Sequence, residues 1–405
     1  MPEWGRPDRG REPGCPPAQA NGGESSSAGA GGGAVWIPVS GPGEGVAAAG
    51  FSLVELLVAM TIGIGLLLGM VVSFSNASRS QKELDQAGQL IENGRYAVDL
   101  LYDDIRHAGY YGHWQGTDSL PASLPDPCET ALPADIEAGM AFPVQGYDAG
   151  AADTYPNLTG VVGCNPTWLP QTNLSAGSDI IAIRRADTVL LSGSPTAGEV
   201  YLQANTTSAD IQIGVAGTDI TVLTADALPV TLTKVDGTTP ADIRKFHTRV
   251  YFVAPCRDGS GTGGVCLSGD DTIPTLKRLE LTASGGVTAL SLVPLIEGVE
   301  YLNLSYGIDN SPTDVDEATG LVGDGVPDTY SDAPALGEWP SVVSVKVWML
   351  VRNLKSSRGH VDDKGYLLGG PGGLAIAAIG DGYRRHVFGN EVRLINASGR
   401  RERLE

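Results

Sequence analysis

The chain has 405 residues and a formal net charge of −20, and it contains 55 glycines and 26 prolines but only 18% charged residues. This length can bury one large core or two smaller ones. The acidic balance argues against direct nucleic-acid binding, since phosphate recognition needs clustered lysine and arginine. Few charges and many turn-forming residues are typical of an exported β-rich domain.

The first 49 residues are rich in glycine, alanine, serine and proline and contain almost no apolar run. This composition is typical of a segment that cannot bury enough apolar surface to fold. We therefore assign residues 1–50 to a disordered leader that precedes the structured part of the chain.

Residues 51–74 (FSLVELLVAMTIGIGLLLGMVVSF) are almost entirely apolar. About 20 such residues span the core of a bilayer, so this segment predicts a single transmembrane helix. Its one charged residue, Glu55, would cost roughly 2.5–3.5 kcal/mol in a bilayer, which suggests that the carboxylate has a use. A secretory signal places small residues after its apolar core, whereas here they precede it, at residues 47–50. A cut after Gly50 would therefore leave the apolar helix on the mature chain.

An amphipathic helix is predicted for residues 75–108, where there is no proline and where apolar or small residues recur every three or four positions. The stripe consists of Leu84, Ala87, Ile91, Gly94, Val98, Leu101, Ile105 and Ala108. Gly109 is a natural end of the helix. A coiled-coil dimer is one use of such a stripe, but its alanine and glycine favour close packing on a sheet. Three charged residues are interpreted as surface pairs along the helix: Arg95, Asp104 and Arg106.

The rest of the chain predicts a β-rich globular head. Residues 109–178 are rich in proline, glycine and asparagine and predict an irregular insertion, whereas residues 179–405 contain short runs of alternating apolar and polar residues between turns. The predicted strands are 179–185, 200–203, 220–224, 230–234, 248–254, 276–282, 287–292, 299–306, 342–351 and 391–396. Because strands and helices do not alternate, we expect an α+β fold: one long N-terminal helix, transmembrane and then amphipathic, packed on a large antiparallel head.

The five cysteines are Cys15, Cys128, Cys164, Cys256 and Cys266. Four of them follow Gly50, and an even number in an exported domain predicts two disulfides. Three pairings are possible, and the pairing local in sequence joins Cys128 to Cys164, across the insertion, and Cys256 to Cys266. A zinc site is the competing interpretation, although the chain has no C-x-x-C pair.

The sequence lacks the common nucleophile, metalloprotease, phosphate-loop and dinucleotide motifs, so we expect no catalytic residues and no organic cofactor. One acidic, glycine-rich loop at residues 307–330 is a candidate calcium site, because calcium takes 6–8 oxygen ligands. Its candidate ligands are Asp309, Asp314, Asp316, Asp324 and Asp328. A solvated loop that binds no ion is the other interpretation.

Three motifs resemble those of one protein family. Gly50, Phe51 and Glu55, in G-F-S-L-V-E-L-L, resemble the prepilin-type signal of type IV pilins and of type II secretion pseudopilins. Residues 92–114 and 382–396 are similar to stretches of PilW-type minor pilins. The resemblance implies that a prepilin peptidase cuts after Gly50, that the new amine of Phe51 is methylated, and that Glu55 assists docking into a filament. The leader departs from the family pattern, because it is long and its basic residues lie far from Gly50.

The resemblance also implies a function, which is that of a structural minor pilin. Such a protein would prime pilus assembly, lie at or near the tip, and support adhesion, twitching and DNA uptake. Its partners would be other minor pilins, the major pilin, the prepilin peptidase, the inner-membrane assembly platform and a tip adhesin. It would span the inner membrane once, with the head in the periplasm, and move to the extracellular pilus on assembly. The alternatives are a large minor pseudopilin of a type II secretion system and a signal-anchored surface binding module or enzyme.

Overall fold

The computed structural model describes residues 50–114, 116, 120–130, 133–215, 232–311, 323–370 and 372–402. The described residues fall into two units, of which the first ends at Leu68 and the second begins at Gly69. The predicted leader at residues 1–49 and the predicted strand at 220–224 lie outside the described residues, as does the start of the predicted strand at 230–234.

Three α-helices are described: α1 (Leu53–His107), α2 (Pro133–Ala138) and α3 (Ile395–Arg401). The first is long and apolar enough near its start to cross a membrane, and its side chains in the first unit are almost all exposed. At its other end Gly109 adopts a φ of +72°, which favours glycine and ends the helix where the sequence predicted.

The strands of the described residues all lie in the second unit. They are β1 (Val144–Tyr147), β2 (Ile180–Ala186), β3 (Val200–Ala204), β4 (Ala209–Ile213), β5 (Ile243–Ala254), β6 (Thr275–Ser284), β7 (Val287–Glu297), β8 (Val299–Ile308), β9 (Thr329–Ser331), β10 (Val342–Arg352), β11 (Tyr366–Leu368), β12 (Leu374–Ile376) and β13 (Arg385–Arg393). All of their pairings are antiparallel, as predicted.

The described strands of the head form two sheets and a hairpin. The larger sheet contains β1 to β7, in which β5 pairs with β2, β3 and β6. The second sheet has the order β13-β10-β8-β9, and β11 pairs with β12 as a separate hairpin. The main hydrophobic core contains one face of α1, including Val98, Leu101 and Ile105, together with residues from both sheets. The predicted α+β class, with a long helix packed on an antiparallel head, is therefore confirmed.

Three local predictions were wrong. The apolar stripe of α1 is buried only from about Leu90 onward, and Leu84 is 67% exposed. The predicted strand at 391–396 is in fact the end of β13, which begins at Arg385, followed by α3, which begins at Ile395. The segment at 109–178, predicted to be irregular, contains α2 and β1. Strand β1 pairs with β2 in a register that places Val144 opposite Ile183.

Candidate functional site

The predicted processing segment forms the first turn of α1. The Ser52 backbone N–H donates to Glu55 Oε2 at 3.0 Å, and the Glu55 N–H donates to Ser52 Oγ at 3.2 Å. This reciprocal pair is a capping box, which satisfies two backbone donors that a helix start otherwise leaves free. Gly50 and Phe51 precede it and are exposed. The S-x-x-E spacing signals this cap, which the sequence analysis missed because it considered Glu55 only as a docking charge.

Both predicted disulfides are present. Cys128 is bonded to Cys164, and Cys256 to Cys266. The zinc alternative therefore fails for these cysteines, including the group in which Asp126 approaches Cys128 and Cys164. The second disulfide lies against Lys277, which is 1% exposed and whose Nζ is 3.4 Å from Cys266 Sγ. Burial lowers the pKa of this lysine.

A buried charge cluster joins α1 to the larger sheet. Asp104 of α1, 3% exposed, accepts hydrogen bonds from Arg249 Nη1 at 2.7 and 2.9 Å and from Arg185 Nε at 3.1 Å. Tyr251 donates its hydroxyl to the same carboxylate. We call these four residues the helix–sheet clamp. Its arginines come from β2 and β5, so a single carboxylate ties one helix to two neighbouring strands.

The electrostatics of the clamp favour the ionised carboxylate. Burial alone would raise the pKa of Asp104, but the charge and hydrogen bonds of Arg249, with those of Tyr251 and Arg185, outweigh burial and lower the pKa. Behind the clamp, Glu280 contacts Arg249 Nε at 3.0 Å and Arg278 Nη2 at 2.7 Å. Burial alone would raise the pKa of Glu280, but His247 and the two arginines outweigh burial and lower this pKa to about 2.

The structure corrects the predicted surface pairs along α1. Arg95 and Arg106 are exposed, whereas Asp104 is buried and bonds to the sheet instead of to either of them. A signal was present in the sequence: Asp104 lies three residues after Leu101 and four before Ala108, so it belongs to the buried stripe.

A second charge cluster is centred on Arg385, within residues 382–396. Arg385, with a side chain 1% exposed, contacts Glu300 at 2.5 Å, Asp381 at 2.6 Å and Asp362 at 2.9 Å. Burial would lower the pKa of Arg385, but the three carboxylates outweigh it and raise that pKa. The arginine therefore ties β13 to β8 and to the segment that holds Asp362 and Asp381. The sequence did not reveal these partners, which lie up to 85 positions away.

The candidate calcium residues are only partly described. Asp314 and Asp316 lie outside the described residues. Asp309 is fully buried and accepts hydrogen bonds from Arg401 Nε at 2.8 Å and from Gly325 N at 3.1 Å, so it ties the loop to α3. Asp324 and Asp328 accept from the backbone N–H groups of Val326 and Asn310. Calcium binding stays a prediction, which titration calorimetry on the wild type and on Asp324→Ala and Asp328→Ala variants would test.

The charged groups of these clusters form ion pairs with one another within the protein. The carboxylates of Asp104 and Asp309 are each paired with arginine, and Arg385 is surrounded by acids. Such an arrangement holds α1, β13 and α3 on the head. The later turns of a long, initially apolar helix are thus locked onto an antiparallel head, which is the architecture that the sequence predicted.

Comparison with known proteins agrees with this architecture. Residues 250–396 match the family model described as type IV pilus-assembly protein W. The matched part runs from β5 into the first turn of α3 and contains Arg385 and its motif. It confirms, over those residues, the resemblance to PilW-type pilins.

Two further comparisons were less informative. A type IV-like pilin from Thermus thermophilus is 14% identical over 50% of this chain and 86% of its own, with a TM-score of 0.21, a similarity on which we base no conclusion. The search of curated proteins returned no significant match.

Proposed function

We propose that this protein is a minor pilin of a type IV pilus, which helps to prime pilus assembly and lies at or near the tip. The match of residues 250–396 to the pilus-assembly family carries the proposal. The apolar start of α1 supports it, because a helix of this kind can anchor the precursor in the inner membrane. The head would then lie in the periplasm before assembly and outside the cell afterwards.

The processing step of this proposal rests on the order of residues at the start of α1. A prepilin peptidase would cut after Gly50 and free the amine of Phe51, which directly precedes the capping serine. The Glu55 carboxylate is held at the Ser52 N–H, 3.0 Å away, so the new amine would arise beside it. Within a filament this carboxylate would be available to the amine of a neighbouring pilin subunit.

Mass spectrometry of the mature N-terminus tests the processing step. In cells that contain a prepilin peptidase, we expect the mature chain to begin at N-methylated Phe51. A Gly50→Ala substitution is expected to leave the precursor uncut, whereas Gly63→Ala, a control on the open surface of the same helix, should be processed normally. An intact leader on the wild-type chain would contradict the proposal.

Deletion of the gene distinguishes pilus from secretion system. We expect loss of surface pili and of twitching, adhesion and DNA uptake, with protein secretion intact, and restoration of all four by the wild-type gene. Loss of secretion with normal piliation would favour the pseudopilin alternative. Crosslinking of the full chain to other minor pilins, the major pilin, the assembly platform or a tip adhesin would then identify its partners.

A further inference from the structure

A cavity of about 300 Å³ lies on the face of the second sheet that points away from the main core, below the turn between β11 and β12. This volume is at the lower end of the range for small-molecule sites. We call it the aromatic pocket. Its side chains come from β8, β9, β10 and the residue after β9: Asn303, Ser305, Tyr330, Asp332, Lys346 and Trp348.

The two rings of the pocket are fixed by the sheet beneath them. Trp348 lies directly opposite Gly389 of β13, and a Cβ at Gly389 would come within 2.6 Å of the indole, so only glycine lets the ring lie there. Tyr330 is held in a similar way over Gly307, and its hydroxyl donates to Glu391 Oε1 at 2.5 Å. Rings that are already ordered lose little conformational entropy when a ligand binds.

The polar groups of the pocket are available to a ligand. Among the described residues, neither the Lys346 ammonium nor the Asp332 carboxylate has a hydrogen-bond or ion-pair partner. The Lys346 Nζ instead lies 3.2 Å from the centre of the Tyr330 ring, a cation–π contact. Asn303 uses only its amide N–H₂, in a long contact of 3.5 Å with Asp179. The pocket therefore combines donors and acceptors with two aromatic surfaces.

Two other cavities differ in this respect. One of about 500 Å³ is lined by Glu300, Arg352, Asp381 and Arg385, and one of about 220 Å³ by Asp362, Arg384 and Arg385. Their carboxylates and arginines are already paired, as in the contacts of Arg352 with Glu300 and of Arg384 with Glu83. The residues that line the smaller cavity together with Lys364 include no unpaired carboxylate. Only the aromatic pocket, among these three in the described part of the chain, is lined by both an unpaired cation and an unpaired anion.

The chemistry of the pocket selects the class of ligand. A phosphate or other anion would be repelled by Asp332, and an organic cation by Lys346, while a small zwitterion would pair with both charges but leave the aromatic rings without a partner. An apolar molecule would leave the ammonium and the carboxylate without partners, which is unfavourable. An uncharged sugar ring satisfies all the groups, because it presents C–H bonds to aromatic rings and hydroxyls to donors and acceptors. We propose that the aromatic pocket binds one uncharged, hexose-sized sugar residue, stacked on Trp348.

The test uses the full mature chain in a detergent without a sugar headgroup. Saturation-transfer NMR and tryptophan fluorescence would follow titration with glucose, galactose, N-acetylglucosamine and their methyl glycosides. We expect saturable binding of at least one sugar. Equal binding of the methyl glycoside would mean that the residue can belong to a glycan chain, and binding of the free sugar alone would limit the site to monosaccharides.

Variants locate the site. Trp348→Ala is expected to abolish binding, and Lys346→Gln and Asp332→Asn to weaken it about tenfold each, through loss of a charged hydrogen bond. Trp168→Phe and Lys364→Gln, a half-buried ring and an unpaired lysine elsewhere, are the matched controls and should bind as the wild type does. If Trp348→Ala does not fold, the Lys346→Gln and Asp332→Asn variants show whether the sugar binds in this pocket. Absence of binding to every sugar, or undiminished binding in the folded variants, would overturn the proposal.

Discussion

Gly94 of α1 lies directly against the ring of Phe388 of β13. A Cβ placed on Gly94 would come within 2.1 Å of Phe388 Cε2, so the ring occupies the space that any other residue would fill. Gly94 belongs to the motif at residues 92–114 and Phe388 to the motif at 382–396. Two motifs that are almost 300 positions apart in sequence thus form one contact between the helix and the second sheet.

Gly94→Ala is therefore expected to destabilise the head by about 1–3 kcal/mol, because the methyl group displaces the Phe388 ring from a packed site. Gly88→Ala is the matched control, since no atom lies within 4 Å of its added Cβ. On the exposed helix surface that change should stabilise by about 0.5–1 kcal/mol. Urea unfolding of both variants measures the difference, and equal effects would show that the contact with Phe388 does not restrict this position.

Asp104→Asn is expected to lower the free energy of unfolding by about 3–5 kcal/mol, since it leaves the buried charge of Arg185 without an anion and that of Arg249 with Glu280 alone. Asp103→Asn, one residue earlier and with a side chain 71% exposed, is the control. It should change stability by no more than about 0.5 kcal/mol. Similar losses in the two variants would contradict the role of the clamp.

Acid should weaken the same clamp. The pKa values of Asp104 and Glu280 are lower in the folded protein than their usual values, so their contribution is complete above about pH 4 and is lost as the pH falls through the folded pKa values. We expect the melting temperature of the wild type to fall steeply below about pH 4 and that of Asp104→Asn to fall less. Parallel curves would show that other carboxylates dominate the acid transition.

Asp179 is expected to produce the opposite dependence on pH. It is 3% exposed and has no cation partner among the described residues. Burial raises its pKa to about 8. The charges of Asp148 and Asp332 also raise this pKa, whereas hydrogen bonds from the backbone N–H groups of Ala149 and Leu304 lower it. Its contribution to stability is complete below about pH 4 and is lost as the pH rises towards 8. Melting curves of Asp179→Asn should show a weaker decline across this range, and an unchanged decline would assign it to other groups.

The two disulfides should differ in their contributions. Cys128–Cys164 spans 36 positions and Cys256–Cys266 spans 10. Removal of each by paired Cys→Ser substitutions is expected to cost about 2–5 kcal/mol, with about 1 kcal/mol more for the longer loop if unfolded-chain entropy dominates. Calorimetry of the two double variants compares them. A larger loss for the shorter loop would indicate that the packing of its sulfurs against Lys277 matters more.

Much of the architecture was predictable from local patterns. Apolar periodicity predicted α1 and its end near Gly109, alternation predicted most of the long strands, and sequence proximity predicted both cysteine pairs. These signals act over a few residues or short loops. The strand predicted at 391–396 failed because alternation does not distinguish the end of β13 from the start of α3, whose short turn packs Ala397 into the core.

The charge clusters were not predictable in the same way. Asp103 and Asp104 are adjacent and chemically identical, yet one is exposed and the other is buried with two arginines from distant strands. The pairing of Arg385 with Glu300 and of Arg401 with Asp309 likewise depends on tertiary contacts over more than 80 positions. A single sequence contains the charges but not the strand order that brings them together.

The helix–sheet clamp also determines how the head would respond to mechanical load. The carboxylate of Asp104 is held by groups on two neighbouring strands, so a pull along the later turns of α1 would stretch its bonds to Arg249, Arg185 and Tyr251 together. Bonds loaded in parallel share the force, whereas bonds loaded in series break one after another. We therefore expect α1 to resist extraction from the head under tension more strongly than its equilibrium stability alone would indicate.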